Sequence, residues 1–213
     1  MHLNCELIFK KYGSPYFKDN LKVLEIGPAG IPSIFNKIIN NSTITWHTLD
    51  IASYEGLTYS SEDEYNYPIP EDSYDIILSG NVIEHVKHIW KWMRELKRIS
   101  KKEGSIIIIN PISWPYHEAP VDCWRIYPEG MKALCEEVGL NVKFCFWGTL
   151  EKELLNNMPS YPGMSYSYGY HPGYIKYIKY VMKWNKFVKW LPKFRALQIP
   201  LPIAYDMITV ASK

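Results

Sequence analysis

The chain has 213 residues, 47% of them hydrophobic and 22% charged, which is the composition of one globular domain that can bury a full core. A net charge of only +2 excludes a general nucleic-acid-binding protein. Four cysteines without C-x-x-C spacing and the lack of a long apolar run exclude a cysteine zinc site and a membrane-spanning helix.

Apolar, β-branched runs alternate with segments of helical periodicity along the chain. The pattern predicts strands at 21–27, 43–51, 73–80, 105–110, 141–148 and 204–212, and helices at 33–40, 88–101 and 128–140. Residues 54–70 are polar and are expected to be irregular. Because strands that alternate with helices form an open parallel sheet covered on both faces, one doubly wound α/β domain is predicted over residues 1–213.

The first predicted strand ends in a loop that contains two glycines, Glu25-Ile26-Gly27-Pro28-Ala29-Gly30. Ligands of open α/β sheets bind beyond the carboxyl ends of the strands, and glycines there let the backbone approach them. Asp50 follows about 20 residues later, where a carboxylate can accept hydrogen bonds from a ribose diol. The loop lacks the third glycine of a dinucleotide fingerprint, which favours S-adenosylmethionine (SAM) over NAD. In the alternative interpretation, the glycines only form a turn and Asp50 caps a helix.

Four stretches in order carry a family resemblance: VLEIGPAG, LDI, YPIPEDSYDIILSGNVIEHV and RISKKEGSIIIINP. They resemble the successive motifs of the seven-stranded, Rossmann-like class I SAM-dependent methyltransferases. The resemblance implies a mostly parallel seven-stranded sheet with an antiparallel last strand, and SAM as the cofactor. It implies that SAM is contacted by the glycine loop, by the acid that binds the ribose and its neighbour, and by the end of the third strand. It also implies an acid on the adenine side, which is Asp63 or the adjacent Glu64. The implied SAM-binding residues are Glu25, Gly27, Pro28, Gly30, Asp50, Ile51, Asp63, Ser79, Gly80 and Asn81.

The segment after the third strand, Asn81-Val82-Ile83-Glu84-His85, is similar to a second motif. This is the E-x-x-E-H motif that binds a divalent cation in ubiquinone-pathway and small-RNA O-methyltransferases, with Asn81 in place of the first acid. The similarity implies a catalytic role for His85 and a site for Mg²⁺ or Mn²⁺ at Glu84 and His85, where a cation would acidify an attacking hydroxyl. In the alternative interpretation, Glu84 makes only local hydrogen bonds.

The segment Trp114–Tyr127 is rich in histidine, acids, arginine and tryptophan, and it follows the strand SIIIIN at the carboxyl edge of the sheet. It resembles the H-E-x-P-x-D-x-[WY]-R segment of methyltransferases encoded near glycan-assembly enzymes. A sugar hydroxyl is a weak nucleophile, so His117 is predicted to be the general base. Asp122 is predicted either to orient His117 or to accept a hydrogen bond from a sugar hydroxyl. Four further residues are predicted to bind the acceptor: Trp114, Tyr116, Trp124 and Arg125. Alternatively, the segment only forms hydrogen bonds with itself.

Residues 149–200 interrupt the alternation of strands and helices and are predicted to be a basic, aromatic insertion before the last strand. Between Glu153 and Asp206 there are seven basic residues and no acidic one, and five of them share one helical face: Lys176, Lys179, Lys183, Lys186 and Lys189. Residues 174–195 could form a lid or homodimer element, lie on an anionic membrane surface, or contact nucleic acid. The acidic main body disfavours nucleic acid.

Together, these patterns predict a SAM-dependent O-methyltransferase that acts on a hydroxyl of a glycan or a sugar nucleotide. Two alternatives stay open. One is an O-methyltransferase of a small aromatic or quinone-like metabolite, and the other is a SAM-binding scaffold without catalysis. The first residues do not resemble a signal peptide, so a cytoplasmic protein is expected.

Overall fold

The computed structural model describes residues 3–118, 120–151, 180–181, 183–188 and 205–213. These residues form seven strands: β1 (Lys22–Ile26), β2 (Thr45–Asp50), β3 (Tyr59–Ser60), β4 (Tyr74–Gly80), β5 (Ser100–Ser113), β6 (Asn141–Gly148) and β7 (Tyr205–Ser212). The main helices are α1 (Leu3–Ile8), α2 (Ile34–Ile39), α3 (Ile89–Ile99) and α4 (Pro128–Glu137). Short helical turns occupy 9–13, 14–16 and 83–85.

All seven strands belong to one sheet, in the order β3-β2-β1-β4-β5-β7-β6. The pairs from β3 to β5 are parallel, whereas β7 runs antiparallel to both β5 and β6. The strand order reverses between β1 and β4, and this is the place where open α/β sheets bind ligands. The predicted doubly wound sheet with an antiparallel last strand is therefore confirmed.

The core lies on both faces of the sheet because successive side chains of each strand point to opposite sides. In β4, Ile77 packs with residues of α3 and α4 on one face, whereas Ile76 and Leu78 pack with residues of α1 and α2 on the other. Such two-sided burial explains why the central strands read as continuous apolar runs rather than alternating ones.

Helix α1 was not predicted, and it is held in place by contacts that are distant in sequence. The Asn4 amide donates to the Gly148 carbonyl at 2.9 Å and to an Asp206 carboxylate oxygen at 2.8 Å. Its carbonyl oxygen accepts from the Leu150 N–H at 2.8 Å. This buried side chain thus joins the start of the chain to the ends of β6 and β7.

Most predicted elements are confirmed, with differences at their ends. β3 lies in the segment expected to be irregular, and β5 begins at Ser100, directly after α3 and earlier than predicted. Most of the 149–200 insertion lies outside the described residues, and within it residues 180–188, apart from 182, are helical with exposed Lys183 and Lys186. The membrane, dimer and nucleic-acid interpretations of 174–195 stay predictions. None of the described helices is both long and apolar enough to cross a membrane.

Candidate active site

A cavity of about 630 Å³ opens at the carboxyl ends of β1, β2 and β4, under the segment that follows β5. Eight residues predicted for the site line it: Gly27, Asp50, Ile51, Asn81, Glu84, His85, Trp114 and His117. The volume is typical of a small-molecule site. The topology therefore brings together motifs that are up to 90 positions apart in sequence.

The glycine loop forms the floor of this cavity beside β1. Gly27 has φ +68°, and a Cβ at this position would collide with the Val82 side chain. Its N–H donates to the Leu49 carbonyl at 2.9 Å, which fixes the loop against β2. Gly30 has φ +97° and no neighbouring atom within 4 Å of where a Cβ would stand. Both positions need glycine, because such backbone conformations disfavour other residues.

Asp50 ends β2 at the cavity wall, as predicted. One carboxylate oxygen accepts from the Ala52 N–H at 3.1 Å, and the other accepts from the Tyr54 hydroxyl at 3.2 Å. The Tyr54 hydroxyl also lies 2.9 Å from the Pro28 carbonyl, so it joins the acid to the glycine loop. Each carboxylate oxygen keeps a further acceptor position for a ligand hydroxyl. Ile51 is 43% exposed next to it, which leaves an apolar surface for a nucleobase.

Glu25 does not line the cavity, although the resemblance implied a cofactor contact. Its side chain is 1% exposed and accepts from the Ser33 hydroxyl at 2.5 Å and the Trp46 indole N–H at 2.9 Å. Ser33 also caps α2 by accepting from the Asn36 N–H at 3.1 Å. Glu25 therefore connects β1 and β2 to the start of α2 beneath the loop. Burial raises the pKa of Glu25 to about 7.

This pKa predicts how the stability of the ligand-free protein depends on pH. The folded-state pKa of Glu25 is higher than the ordinary value of 4.5, so the folded protein holds the proton more tightly than the unfolded chain does. The resulting contribution of Glu25 to the free energy of unfolding is fully present below pH 4.5 and is lost as the pH rises through 7. Against Glu25→Gln, which keeps an acceptor for Ser33 and Trp46, the wild type should lose on the order of 2 kcal/mol between pH 4.5 and 8. Urea unfolding across this range measures the difference. Parallel pH profiles would contradict the prediction, and Glu103→Gln at an exposed site is the control.

Buried polar atoms without hydrogen-bond partners gather where β4 and β5 end. Among the described residues they belong to Ser79, Asn81, Glu84 and Asn110. Asn81 has φ +57°, a strained conformation that asparagine tolerates better than most residues, and its side chain lines the cavity. Of these residues Asn81 and Glu84 line the cavity, and their side chains offer hydrogen-bonding groups to a polar ligand.

Glu84, His85 and His117 form a compact cluster on the cavity wall, with one possible ligand atom from each within 4.8 Å of the others. Glu84 is 1% exposed and burial raises its pKa to about 7. The His85 Nδ1 lies 2.5 Å from the Val121 carbonyl, and the His117 Nδ1 lies 3.2 Å from the Pro115 carbonyl. Carbonyl oxygens only accept, so both Nδ1 atoms carry hydrogen and both Nε2 atoms keep a free lone pair. Burial lowers the pKa of His85, which favours its neutral form.

Asp122 and Arg125 organise the segment that carries His117. The two carboxylate oxygens of Asp122 accept from the two terminal nitrogens of Arg125 at 2.5 and 2.7 Å, and one also accepts from the His117 N–H at 2.9 Å. The Arg125 guanidinium holds the pKa of Asp122 down at about 2. Arg125 further donates to the carbonyls of Trp114, Trp124 and Pro115. Its five hydrogen bonds equal its five N–H groups, so it positions the segment and does not bind the acceptor as predicted.

This arrangement predicts a large effect of Arg125→Lys. Lysine keeps the charge but cannot donate to a carboxylate and three carbonyls at once. We expect kcat/KM for methyl transfer to fall about 10²-fold, because a displaced catalytic group loses alignment, while SAM affinity changes little. Arg94→Lys is the matched control, since Arg94 pairs with Glu137 on the surface. An Arg125→Lys variant with wild-type kcat/KM would show that the segment keeps its shape without the hydrogen bonds of the Arg125 guanidinium.

Several other predicted residues lie elsewhere. Asp63 is exposed and accepts from the Tyr65 N–H at 2.8 Å, whereas its neighbour Glu64 lines the cavity. Trp124 packs against the core, donates to the Val86 carbonyl at 2.8 Å and does not line the cavity. Tyr116 is 72% exposed and is turned towards Glu118. Pro28, Gly30, Ser79, Gly80 and Asp122 also do not line the cavity.

The sequence analysis missed two aromatic wall residues, Tyr67 and Trp92. The Trp92 indole N–H donates to the Tyr67 hydroxyl at 2.8 Å, and both side chains are buried. Trp92 lies within the predicted helix 88–101, where its apolar side chain indicates only a core position. Tyr67 lies in an irregular segment where no periodicity points to it. Only the tertiary structure shows that both face the ligand space.

The cavity suits SAM better than a dinucleotide. Its described wall residues include four acids (Asp50, Glu64, Glu84 and Glu118) and no lysine or arginine. A pyrophosphate would meet carboxylates there, whereas SAM carries a cationic sulfonium and an ammonium group. The Asn81 side chain and the free acceptor positions of Asp50, both on the cavity wall, fit such a ligand.

Comparisons with known proteins agree with this geometry. A family model described as a methyltransferase domain matches residues 41–108. No curated protein matches the chain by sequence. A SAM-dependent methyltransferase from Archaeoglobus fulgidus is similar in structure, with a TM-score of 0.58 and 18% identity over 98% of this chain and 92% of that one.

Two further structures show how widely this fold is used. Phosphoethanolamine N-methyltransferase 2 from Haemonchus contortus, in complex with SAM, has a TM-score of 0.55 and 14% identity over 99% of this chain and 52% of that one. The cyclase SpnF has a TM-score of 0.56 and 13% identity over 98% of this chain and 80% of that one. These likenesses show the fold and not the reaction.

The strand order and the cavity at the switch of the sheet define a Rossmann-like, seven-stranded fold. Residues 41–108 of this fold match the methyltransferase-domain model.

Proposed function

We propose that this chain is a SAM-dependent methyltransferase that transfers the methyl group of SAM to a hydroxyl of a sugar, with His117 as general base. The observation that carries the proposal is the orientation of His117: its Nδ1 is fixed by the Pro115 carbonyl, and the ring lines the same cavity as Gly27 and Asp50. A neutral imidazole with a free Nε2 can accept a proton at the pH of the cell. The resemblance of Trp114–Tyr127 to a segment of glycan-associated methyltransferases supports the sugar.

SAM supplies an already activated methyl group, so the protein has to place the acceptor and remove its proton. Asp50 accepts hydrogen bonds from the ribose diol, and Gly27 lets the backbone lie against the ligand. The acceptor oxygen forms its bond to the methyl carbon while the carbon–sulfur bond breaks and its electron pair stays on sulfur. His117 Nε2 takes the hydroxyl proton. Asp122 holds His117 through its backbone N–H, so it acts as a positioning residue.

The same cluster also fits a divalent cation, which is the second candidate for proton removal. Glu84 offers two unpartnered carboxylate oxygens, and both imidazoles are anchored through Nδ1 to carbonyl oxygens, as metal-ligating histidines usually are. Glu84, His85 and His117 would hold it, and it would lower the pKa of a bound hydroxyl. A cation would occupy the His117 lone pair, so the base and the cation are alternative roles of this residue.

The test is incubation with SAM and a panel of glycans, amines and catechol-like phenols, followed by mass spectrometry with and without EDTA. Methyl addition to the glycans alone supports the proposal. Methylation of phenols only would favour an aromatic metabolite as the acceptor, and methylation of amines only would show that the acceptor atom is nitrogen instead of a hydroxyl oxygen. No methylation of any acceptor despite SAM binding would favour a scaffold. Activity lost with EDTA and restored by Mg²⁺ or Mn²⁺ would assign the cluster to a cation, whereas unchanged activity eliminates it.

A further inference from the structure

The charge of the cavity limits which sugars can enter it. Four carboxylates line the described walls, at Asp50, Glu64, Glu84 and Glu118, and no described wall residue is a lysine or arginine. The nearby Arg125 uses its donors within its own segment. A pyrophosphate there would meet like charge, with no lysine or arginine among the described wall residues to balance it. Of the two acceptors expected from the sequence, a sugar nucleotide fits these walls poorly and an uncharged sugar fits them well.

The size of the cavity limits how much of the acceptor it can contain. A volume of about 630 Å³ is in the usual range for a site that holds a single drug-sized ligand. SAM is itself such a ligand, so room remains for little more than the reacting ring of the acceptor. The rest of a longer acceptor has to lie outside the mouth.

A row of aromatic rings is formed by residues that neighbour cavity wall residues in the chain. Tyr65 stands between the wall residues Glu64 and Tyr67 in the chain. Its ring centroid lies 5.7 Å from that of His88, and the His88 centroid lies 5.5 Å from that of Trp90. Trp90 is 37% exposed and His88 is also exposed. We name Tyr65, His88 and Trp90 the aromatic shelf.

The shelf is not explained by packing of the core. Tyr65 packs partly against the core, but Trp90 occupies an outward position at the start of α3, next to the buried Ile89. The Lys91 Nζ lies 5.8 Å from the Tyr65 ring centroid, which places a hydrogen-bond donor beside the shelf. Exposed aromatic residues that continue from a ligand cavity indicate a binding surface. Rings with polar edges suit a ligand that has apolar faces and a polar rim.

We propose that the acceptor is an uncharged oligosaccharide whose terminal ring enters the cavity and whose next ring packs on the aromatic shelf. This inference rests on the proposed sugar-methylating function. The C–H face of a pyranose lies against Trp90 and His88, and its hydroxyl groups lie near Lys91. The shelf thereby selects acceptors by length, whereas the carboxylates of the cavity reject sugar nucleotides.

The test compares three acceptors that present the same terminal sugar: the monosaccharide, a trisaccharide and the nucleoside-diphosphate sugar. For the wild type we expect kcat/KM to be at least about 10-fold higher for the trisaccharide than for the monosaccharide, and turnover of the sugar nucleotide to be the lowest. Trp90→Ala should reduce the trisaccharide preference by about 3–10-fold. His88→Ala should reduce it in the same direction.

Trp147→Ala is the matched control, because Trp147 is 56% exposed on β6, at the opposite edge of the sheet from β3. It should keep the trisaccharide preference. Circular dichroism and SAM calorimetry on each variant show whether the fold and the cofactor site are intact.

The outcomes separate failure of the inference from failure of the proposed function. Three results would each contradict binding of the acceptor on the aromatic shelf while leaving sugar methylation in place. They are equal kcat/KM for monosaccharide and trisaccharide, an unchanged preference in a folded Trp90→Ala variant, and preferred turnover of the sugar nucleotide. If the wild type methylates no sugar of any length, the proposed function itself fails.

Discussion

Replacing His117 by alanine is expected to lower kcat by about 10²–10⁴-fold, with little change in the affinity for SAM. The imidazole lines the cavity, and its Nδ1 donates to the Pro115 carbonyl. Removing it leaves the acceptor hydroxyl without a proton acceptor but does not alter the glycine loop or Asp50. Single-turnover kinetics and SAM calorimetry on the same sample separate the two effects.

His88→Ala is a suitable comparison for His117→Ala, because His88 is exposed and does not line the cavity. Its effect should be confined to KM for long acceptors. Equal losses of kcat and SAM affinity in His117→Ala would contradict a role in proton removal and would assign His117 to cofactor binding. Unchanged kcat would show that no base is needed from this residue.

Replacing Asp50 by asparagine is expected to weaken SAM binding by about 10–100-fold, which corresponds to the 1.5–3 kcal/mol of hydrogen bonds to a charged group. Asparagine keeps an oxygen that can accept from the Ala52 N–H or the Tyr54 hydroxyl, so the local structure should survive. What it loses is the charge and one acceptor for the ribose diol. Calorimetric titration with SAM measures the change.

Asp63→Asn is the matched control for Asp50→Asn, because Asp63 is exposed and only stabilises its own turn. Its SAM affinity should equal that of the wild type. If Asp63→Asn were the weaker binder, the adenine-side role expected from the sequence would be correct for Asp63 and not for Glu64. An Asp50→Asn variant with wild-type SAM affinity would show that the Asp50 carboxylate does not hold the ribose.

The parts of the site that sequence predicted well are local in the chain. Gly27 is needed because its own backbone has φ +68°, and Asp50 is placed because it ends a strand next to β1. Both properties depend on short motifs and on the rule that ligands bind at carboxyl ends of parallel strands. For the same reason, the doubly wound sheet could be predicted from the alternation of elements, whereas its antiparallel last strand was implied only by the family resemblance.

The parts that sequence could not predict depend on how polar groups are shared in space. Arg125 was expected to meet the acceptor, but its donors are taken up by Asp122 and three carbonyls. Trp124 was expected to bind the acceptor, but its indole N–H donates to the Val86 carbonyl. Asn4 bonds to Asp206 across 202 positions, and no local pattern indicates such a contact.

The position of the cofactor can be determined from a crystal structure with S-adenosylhomocysteine bound. The expected result is a nucleoside in the cavity above Gly27, with its ribose hydroxyls hydrogen-bonded to the Asp50 carboxylate and its base against Ile51. A nucleoside bound elsewhere, or a ribose that makes no contact with Asp50, would contradict it and would remove the basis for the roles of His117 and the aromatic shelf.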